Sequence, residues 1–145
     1  MKEDFVMRGQ TASGATETLN FGGHKDGYGF LLTEFQIYPS NPQGSETILG
    51  SITAGKTAVA PEDPNFNVEG LIGTAMKAYN TTAQDGSIES TIVNDTFVIT
   101  QDLILMVLSA TTSEPVNWQC RFRPVKLDTA KQALTNYRQF MIFDE

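Results

Sequence analysis

The chain has few of the residues that build common catalytic and metal sites. It contains one cysteine, Cys120, and one histidine, His24. A single cysteine excludes an internal disulfide, so folding in a reducing cytosol is the simpler expectation. One histidine and one cysteine fall short of the four ligands of a structural zinc site. A serine–histidine–aspartate triad would have to use His24, which lies in a glycine-rich turn, so we do not predict one.

Positive charge and long apolar runs are also scarce. Ten Lys and Arg residues face 17 Asp and Glu residues, which gives a formal net charge of −7. Nucleic-acid-binding proteins present basic patches, so we expect no nucleic-acid partner. The longest apolar run, Leu103 to Leu108, is far shorter than the roughly 20 residues of a membrane-spanning helix. The N-terminus has no apolar segment of the secretory kind, and we expect no membrane partner.

Alternating strand patterns run through most of the chain. Trp118, Cys120 and Phe122 alternate with polar residues, which predicts a strand with those three facing a core. Tyr28 to Tyr38 is a second clear strand, with Leu31, Phe35 and Ile37 predicted to share one face. The other predicted strands are Phe5 to Arg8, Thr16 to Phe21, Thr47 to Thr53, Leu71 to Tyr79, Ser90 to Thr100, Leu103 to Leu108 and Phe140 to Phe143.

Helical signals are few. A short helix is predicted to begin at Asp128 or Thr129, because one face at helical spacing is formed by Leu127, Ala130, Leu134 and Tyr137. Met76 to Ala78 would also tolerate a helix. Leu103 to Leu108, in contrast, is predicted to be a strand buried on both faces. Asp85-Gly86 is a hairpin-type turn signal. We predict a mostly β fold, an antiparallel β-sandwich or jelly roll with one short C-terminal helix. Residues 15–145 form the predicted single domain, and residues 1–14 a predicted N-terminal arm.

One segment matches a nucleotide-binding pattern. Gly50 to Thr57 reads GSITAGKT and fits the P-loop, in which glycines cradle phosphates, Lys56 neutralises them and Thr57 holds Mg²⁺. Asp144, after the apolar Phe140 to Phe143, resembles the metal-holding aspartate of such proteins. A P-loop must lead into a helix, whereas Pro61 and Pro64 forbid a sustained helix after Thr57. We therefore favour a strand end leading into a loop, with nucleotide binding as a remote alternative.

Two further patterns have ordinary structural explanations. Asp63, Asn65, Asn67 and Glu69 alternate oxygen ligands, but Val68 and Thr74 occupy the positions where a calcium loop needs Gly and Glu. The aromatic residues of the predicted strands would form either a ligand platform or a packed core, and we favour the core. They are Tyr28, Phe30, Phe35, Tyr38 and Trp118. We predict no enzymatic activity and assign no catalytic, cofactor-binding or metal-binding residue.

Four stretches together resemble a group of known proteins. They are Gly27-Tyr28 with the strand ending at Tyr38, Pro64 to Asn67 with Glu69 to Ile72, Val93 to Phe97, and Thr135 to Phe140. As a set these stretches resemble small, poorly characterised virion proteins of tailed bacteriophages, especially from marine samples. The resemblance covers most of the chain and involves no catalytic motif. It implies a virion structural protein with a β-sandwich or jelly-roll core, such as a capsid decoration (cement) protein.

The expected function is therefore non-enzymatic. We expect the protein to be made in the host bacterial cytoplasm, to reside in the virion and to contact the major capsid protein or other virion proteins. A homo-oligomer, taken as a trimer, would gain from many weak contacts. The alternative is a tail- or fibre-associated module that binds a host glycan through loop aromatics and carboxylates.

Overall fold

The computed structural model of the chain describes residues 4–21, 28–41, 46–55, 57–80, 85–93, 97–110 and 113–127. These residues form eight strands in two antiparallel sheets, and none of them is helical. The strands are β1 (Phe5–Thr11), β2 (Thr16–Leu19), β3 (Tyr28–Pro39), β4 (Glu46–Thr53), β5 (Leu71–Asn80), β6 (Asp85–Ile92), β7 (Leu103–Ser109) and β8 (Val116–Lys126). The prediction of a mostly β fold is confirmed, whereas the predicted C-terminal helix and the strand Phe140 to Phe143 lie outside the described residues.

The three-stranded sheet has the order β1-β8-β3. Trp118, Cys120 and Phe122 of β8 are buried and alternate with half-buried polar residues, as the sequence pattern predicts. β1 lies within the segment predicted as an arm, and all of β1 pairs with β8 of the same chain.

The set of β3 side chains that face the core differs from the prediction. Phe30 and Leu32 are buried in its first half, and Phe35 and Ile37 in its second. The pairing with β8 shifts between Leu32 and Glu34, where β3 contains a β-bulge. A bulge inserts one extra residue and so reverses which face later side chains occupy. Leu31 therefore does not share the buried face, contrary to the expectation from simple alternation.

The five-stranded sheet has the order β2-β7-β4-β5-β6, with β4 at its centre. The segment that would tolerate a helix is strand β5, which is paired with β4 and β6 along its length. β7 was expected to be buried on both faces, but its burial alternates: Leu103, Leu105 and Val107 are buried, while the residues between them are half-buried. β7 therefore has one face in the core and one face outside it.

Two predicted boundaries in the second half of the chain differ from those in the structure. The hairpin signalled by Asp85-Gly86 is present, since β5 and β6 pair antiparallel, but these two residues begin β6 and pair with Asn80 and Tyr79. The predicted strand from Ser90 to Thr100 ends at Ile92, and Ile99 forms only an isolated bridge with Phe30. Sequence composition favours strand over this whole stretch, but the pairing partner changes from β5 to the start of β3, which interrupts it.

Buried side chains from both sheets form one core in a sandwich-like arrangement. Phe122 of β8 lies 4.9 Å from Phe21, which follows β2, between ring centroids. Phe5 of β1 and Phe30 of β3 complete this aromatic cluster, with ring centroids 5.4 Å apart. The packed core holds both sheets rigid, so the side chains on their outer faces are carried on a fixed frame.

Candidate functional site

A groove of about 720 Å³ lies across the three-stranded sheet. All three strands contribute to it, each with a short stretch: Arg8 and Gly9 from β1, Gln36 to Tyr38 from β3, and Asn117 to Gln119 from β8. A volume of this size is typical of sites that hold a small molecule or a short oligomer. We call it the sheet groove.

The strand register brings the polar lining of the sheet groove together. Gln119 is paired with Arg8 on one side and with Gln36 on the other, so these three side chains form one cross-strand row. Tyr38 is paired with Asn117 in the next row. Because Trp118 and Ile37 face the core, their sequence neighbours must point outward, which places the row on the outer face.

Trp118 lies at the floor of the sheet groove, with its indole on the core side of the sheet. Its indole Nε1 donates a hydrogen bond to the buried Thr11 hydroxyl at 2.9 Å, which satisfies the indole nitrogen. Gly9 is the residue paired with Trp118, and a Cβ atom at Gly9 would lie 2.9 Å from the indole ring. Glycine at this position is therefore needed for the ring to lie against β1.

Asn117 is held in a fixed orientation. Its Nδ2 donates to the Pro39 carbonyl oxygen at 3.5 Å, and its Oδ1 accepts a hydrogen bond from Gln10 Nε2 at 2.9 Å. Tyr38 is 51% exposed, and the Lys77 Nζ lies 4.0 Å from the centre of its ring. A cation in this position attracts the ring and limits its motion.

The outer face of the five-stranded sheet carries a group of apolar side chains beside Ser51 and Thr53. Leu49 of β4 is paired with Leu108 of β7 and with Met76 of β5, so the three form a cross-strand row. Met106 and Ile104 follow along β7 on the same face. Met76 is 39% exposed and the other four are half-buried. We call these five residues the apolar outer face.

The P-loop-like segment does not have the geometry of a P-loop in its described part. Gly50 to Thr53 lies within β4 and pairs with β5 and β7. The Ser51 hydroxyl donates to the Val59 carbonyl oxygen at 2.6 Å, and the Val59 N–H donates to Thr53 Oγ1 at 3.1 Å. The described residues from Thr57 to Gly70 are irregular, as a strand end leading into a loop predicts. Lys56 and Asp144 lie outside the described residues.

The calcium-loop-like residues Asp63, Asn65, Asn67 and Glu69 are all exposed. Asn65 Oδ1 accepts a hydrogen bond from the Asn67 N–H at 3.0 Å, a local turn contact that competes with ligand binding. In the part of the chain that the structure describes, no group of three or more His, Cys, Asp and Glu side chains is placed to hold a metal ion. His24 lies outside the described residues.

The predicted aromatic set divides between core and groove. Phe30 and Phe35 are core residues, Trp118 is 8% exposed at the groove floor, and Tyr38 is exposed at the groove. The sequence analysis did not single out the polar lining of Arg8, Gln36, Asn117 and Gln119. Their outward positions in the strands could be inferred from the alternation of side chains. The pairing that brings them together could not, because it joins strands that are distant in the sequence.

Cys120 is buried in the core, and burial raises the pKa of its thiol well above the usual range. The neutral thiol packs as a small apolar group. Among the residues with a described structure, no helix is long and apolar enough to cross a membrane.

No protein-family model matches this chain, and no curated protein matches it.

Proposed function

We propose that this protein is a non-enzymatic structural protein of a bacteriophage virion, a capsid decoration protein that acts through protein–protein contacts. Its partners are the major capsid protein or other virion proteins, and copies of the chain associate as a trimer. In this proposal the fold is a β-sandwich with a short C-terminal helix, and neither nucleic acid nor membrane is a partner. The protein is made in the host bacterial cytoplasm and incorporated into the particle.

The apolar outer face is the observation that carries this proposal. One of its rows, Leu108, Leu49 and Met76, crosses three adjacent strands with no polar side chain among the three, whereas Met106 and Ile104 are paired with Ser51 and Thr53. Soluble monomers rarely leave large contiguous apolar patches on a flat surface, whereas interfaces between subunits are apolar at their centre. A sheet face with such an apolar row is suited to contact with another folded surface.

The amino-acid composition also supports a contact protein. The net charge of −7 keeps the free chain soluble before assembly. The rigid two-sheet core lets each contact form without ordering a loop, which lowers the entropic cost of association. A decoration protein gains affinity by repeating such contacts over a symmetric lattice.

The test is the location of the protein in infected cells. Particles of a phage that encodes this chain are purified on a density gradient and probed with an antibody against it. We expect the chain to sediment with the particles in a fixed ratio to the major capsid protein. Recovery of the chain only in the soluble lysate, with none in intact particles, would overturn the proposal.

A matched pair of variants tests the surface. Met76 and Val68 are each 39% exposed, but Met76 lies on the apolar outer face and Val68 lies in the irregular segment before β5. Met76→Lys places a charge within the apolar row and should reduce particle occupancy at least about tenfold, whereas Val68→Lys should leave it unchanged. Equal occupancy for the two variants would contradict the assignment of this face.

A further inference from the structure

We propose that the sheet groove binds an oligosaccharide of roughly two to four sugar units, a length that fits its volume of about 720 Å³. The inference rests on the outer face of the three-stranded sheet and does not depend on a role in the virion. It places recognition on the side chains of three strands, and not on the loop aromatics and carboxylates expected from the sequence.

The lining offers the hydrogen-bonding groups that sugar hydroxyls need. Each hydroxyl both donates and accepts, and a side-chain amide has an oxygen that accepts and a nitrogen that donates. Gln36, Gln119 and Asn117 provide three amides, and Arg8 adds several N–H donors. Within the described residues, the side chains of Arg8, Gln36 and Gln119 make no hydrogen bond or ion pair, so these groups are available to a ligand.

Tyr38 provides an apolar platform beside those polar groups. Pyranose rings present a face of C–H groups that packs against an aromatic ring. The Tyr38 ring is 51% exposed, and the Lys77 ammonium is centred 4.0 Å from the ring centroid on one side of it. A single aromatic ring next to several planar polar groups combines apolar packing with directional hydrogen bonds.

The groove is preorganised, which reduces the cost of binding. Asn117 is held by Gln10 and Pro39, and beneath the groove the Trp118 indole anchors β8 to β1 through its hydrogen bond to Thr11. Side chains carried on paired strands lose less freedom on binding than side chains on loops. A weakly binding neutral ligand such as a sugar benefits most from such a site.

The strand order favours a sugar over an extended peptide. Peptides that bind sheets commonly add a strand and use main-chain hydrogen bonds at an open edge. The floor of the sheet groove is β8, which is the central strand and is paired with β1 on one side and β3 on the other. Its main-chain groups are therefore occupied, and recognition in the groove has to come from side chains.

Binding is measured by NMR chemical-shift changes, because the indole of Trp118, the only tryptophan in the sequence, faces the core and not the groove. The full chain is titrated to about 10 mM with maltotetraose, cellotetraose, chitotetraose, mannotetraose and a uronic-acid tetrasaccharide, and it is also applied to an array of bacterial surface glycans. We expect at least one saccharide to bind saturably with a Kd between about 10 µM and 10 mM.

Variants then locate the site. Tyr38→Ala should weaken binding at least about tenfold and Gln119→Ala about three- to tenfold, while Tyr38→Phe keeps the ring and should retain most of the affinity. Phe66→Ala is the matched control, because Phe66 is 56% exposed but does not line the groove. Circular dichroism and urea unfolding confirm that each variant folds.

Three results would overturn the inference. The first is the absence of saturable binding across both the titrations and the array. The second is binding that Tyr38→Ala and Gln119→Ala leave unchanged, which would place the sugar elsewhere. The third is displacement of a bound saccharide by an extended peptide at lower concentration, which would make the groove a peptide site.

Discussion

Phe122 is the side chain whose removal should reveal most about how the two sheets are held together. Phe122 is fully buried. Its ring centroid lies 4.9 Å from that of Phe21 in an edge-to-face contact and 5.5 Å from that of Phe5 in a stacked contact. Replacing a core Phe by Ala typically costs about 3–5 kcal/mol of stability. A Phe that also makes aromatic pairs is expected in the upper part of that range. For Phe122→Ala we expect a loss of about 4–5 kcal/mol in the free energy of unfolding.

That loss is large compared with the whole stability of a domain, which is about 5–15 kcal/mol. In a chain of this size it corresponds to a fall in Tm of about 8–20 °C, since each kcal/mol shifts Tm by about 2–4 °C. Phe66→Ala is the control, because it removes the same atoms from a side chain that is 56% exposed, and it should change stability by no more than about 0.5 kcal/mol.

Urea unfolding followed by Trp118 fluorescence and by far-ultraviolet circular dichroism measures both variants. If the reasoning is right, the midpoint falls for Phe122→Ala with little change in slope, and both probes report one transition. A difference of less than about 1.5 kcal/mol between Phe122→Ala and Phe66→Ala would refute the claim that this aromatic cluster stabilises the contact between the sheets.

Two further predictions concern buried polar and reactive groups. The Ser109 hydroxyl donates a hydrogen bond to Glu46 Oε1 at 2.7 Å, and both residues are buried. Ser109→Ala should therefore lower the free energy of unfolding by about 1.5–3 kcal/mol. A change below about 0.5 kcal/mol in urea unfolding would show that this hydrogen bond contributes little. Burial raises the pKa of the Cys120 thiol, so at about pH 8 the native protein should react with a thiol reagent only as fast as it opens, and the rate should rise sharply in urea. Rapid labelling of the native protein would contradict the position of Cys120 in the core.

The sequence predicted strands best where side chains alternate without interruption. In β8, the alternation of Trp118, Cys120 and Phe122 gives the correct buried face because no bulge interrupts it. In β3, the same reasoning places Leu31 on the wrong face, because the extra residue before Glu34 is specified by pairing with β8 and not by local composition. Local patterns thus identify a strand more reliably than they identify its register.

The sheet groove was not predicted because it depends on register between distant segments. Arg8 and Gln119 are more than one hundred positions apart in the chain, yet they are direct partners in the sheet. Nothing near Arg8 in the sequence indicates that its partner strand begins at Val116. The P-loop-like segment shows that a motif can match locally although Gly50 lies inside a central strand, as the preferred interpretation of a strand end leading into a loop expects.

The two candidate surfaces belong to different sheets, and this determines how they can be combined. The sheets pack with their inner faces on one shared core, so the outer face of one is directed away from the outer face of the other. A protein contact through the apolar outer face would therefore leave the sheet groove facing solution, where a saccharide can reach it. The side chains that separate the surfaces are core residues such as Phe35, which is fully buried. Because the two sites share no lining residue, a charge introduced at Met76 should leave saccharide affinity unchanged, and Tyr38→Ala should leave particle occupancy unchanged. Coupled losses in either direction would show that the two surfaces form a single interface.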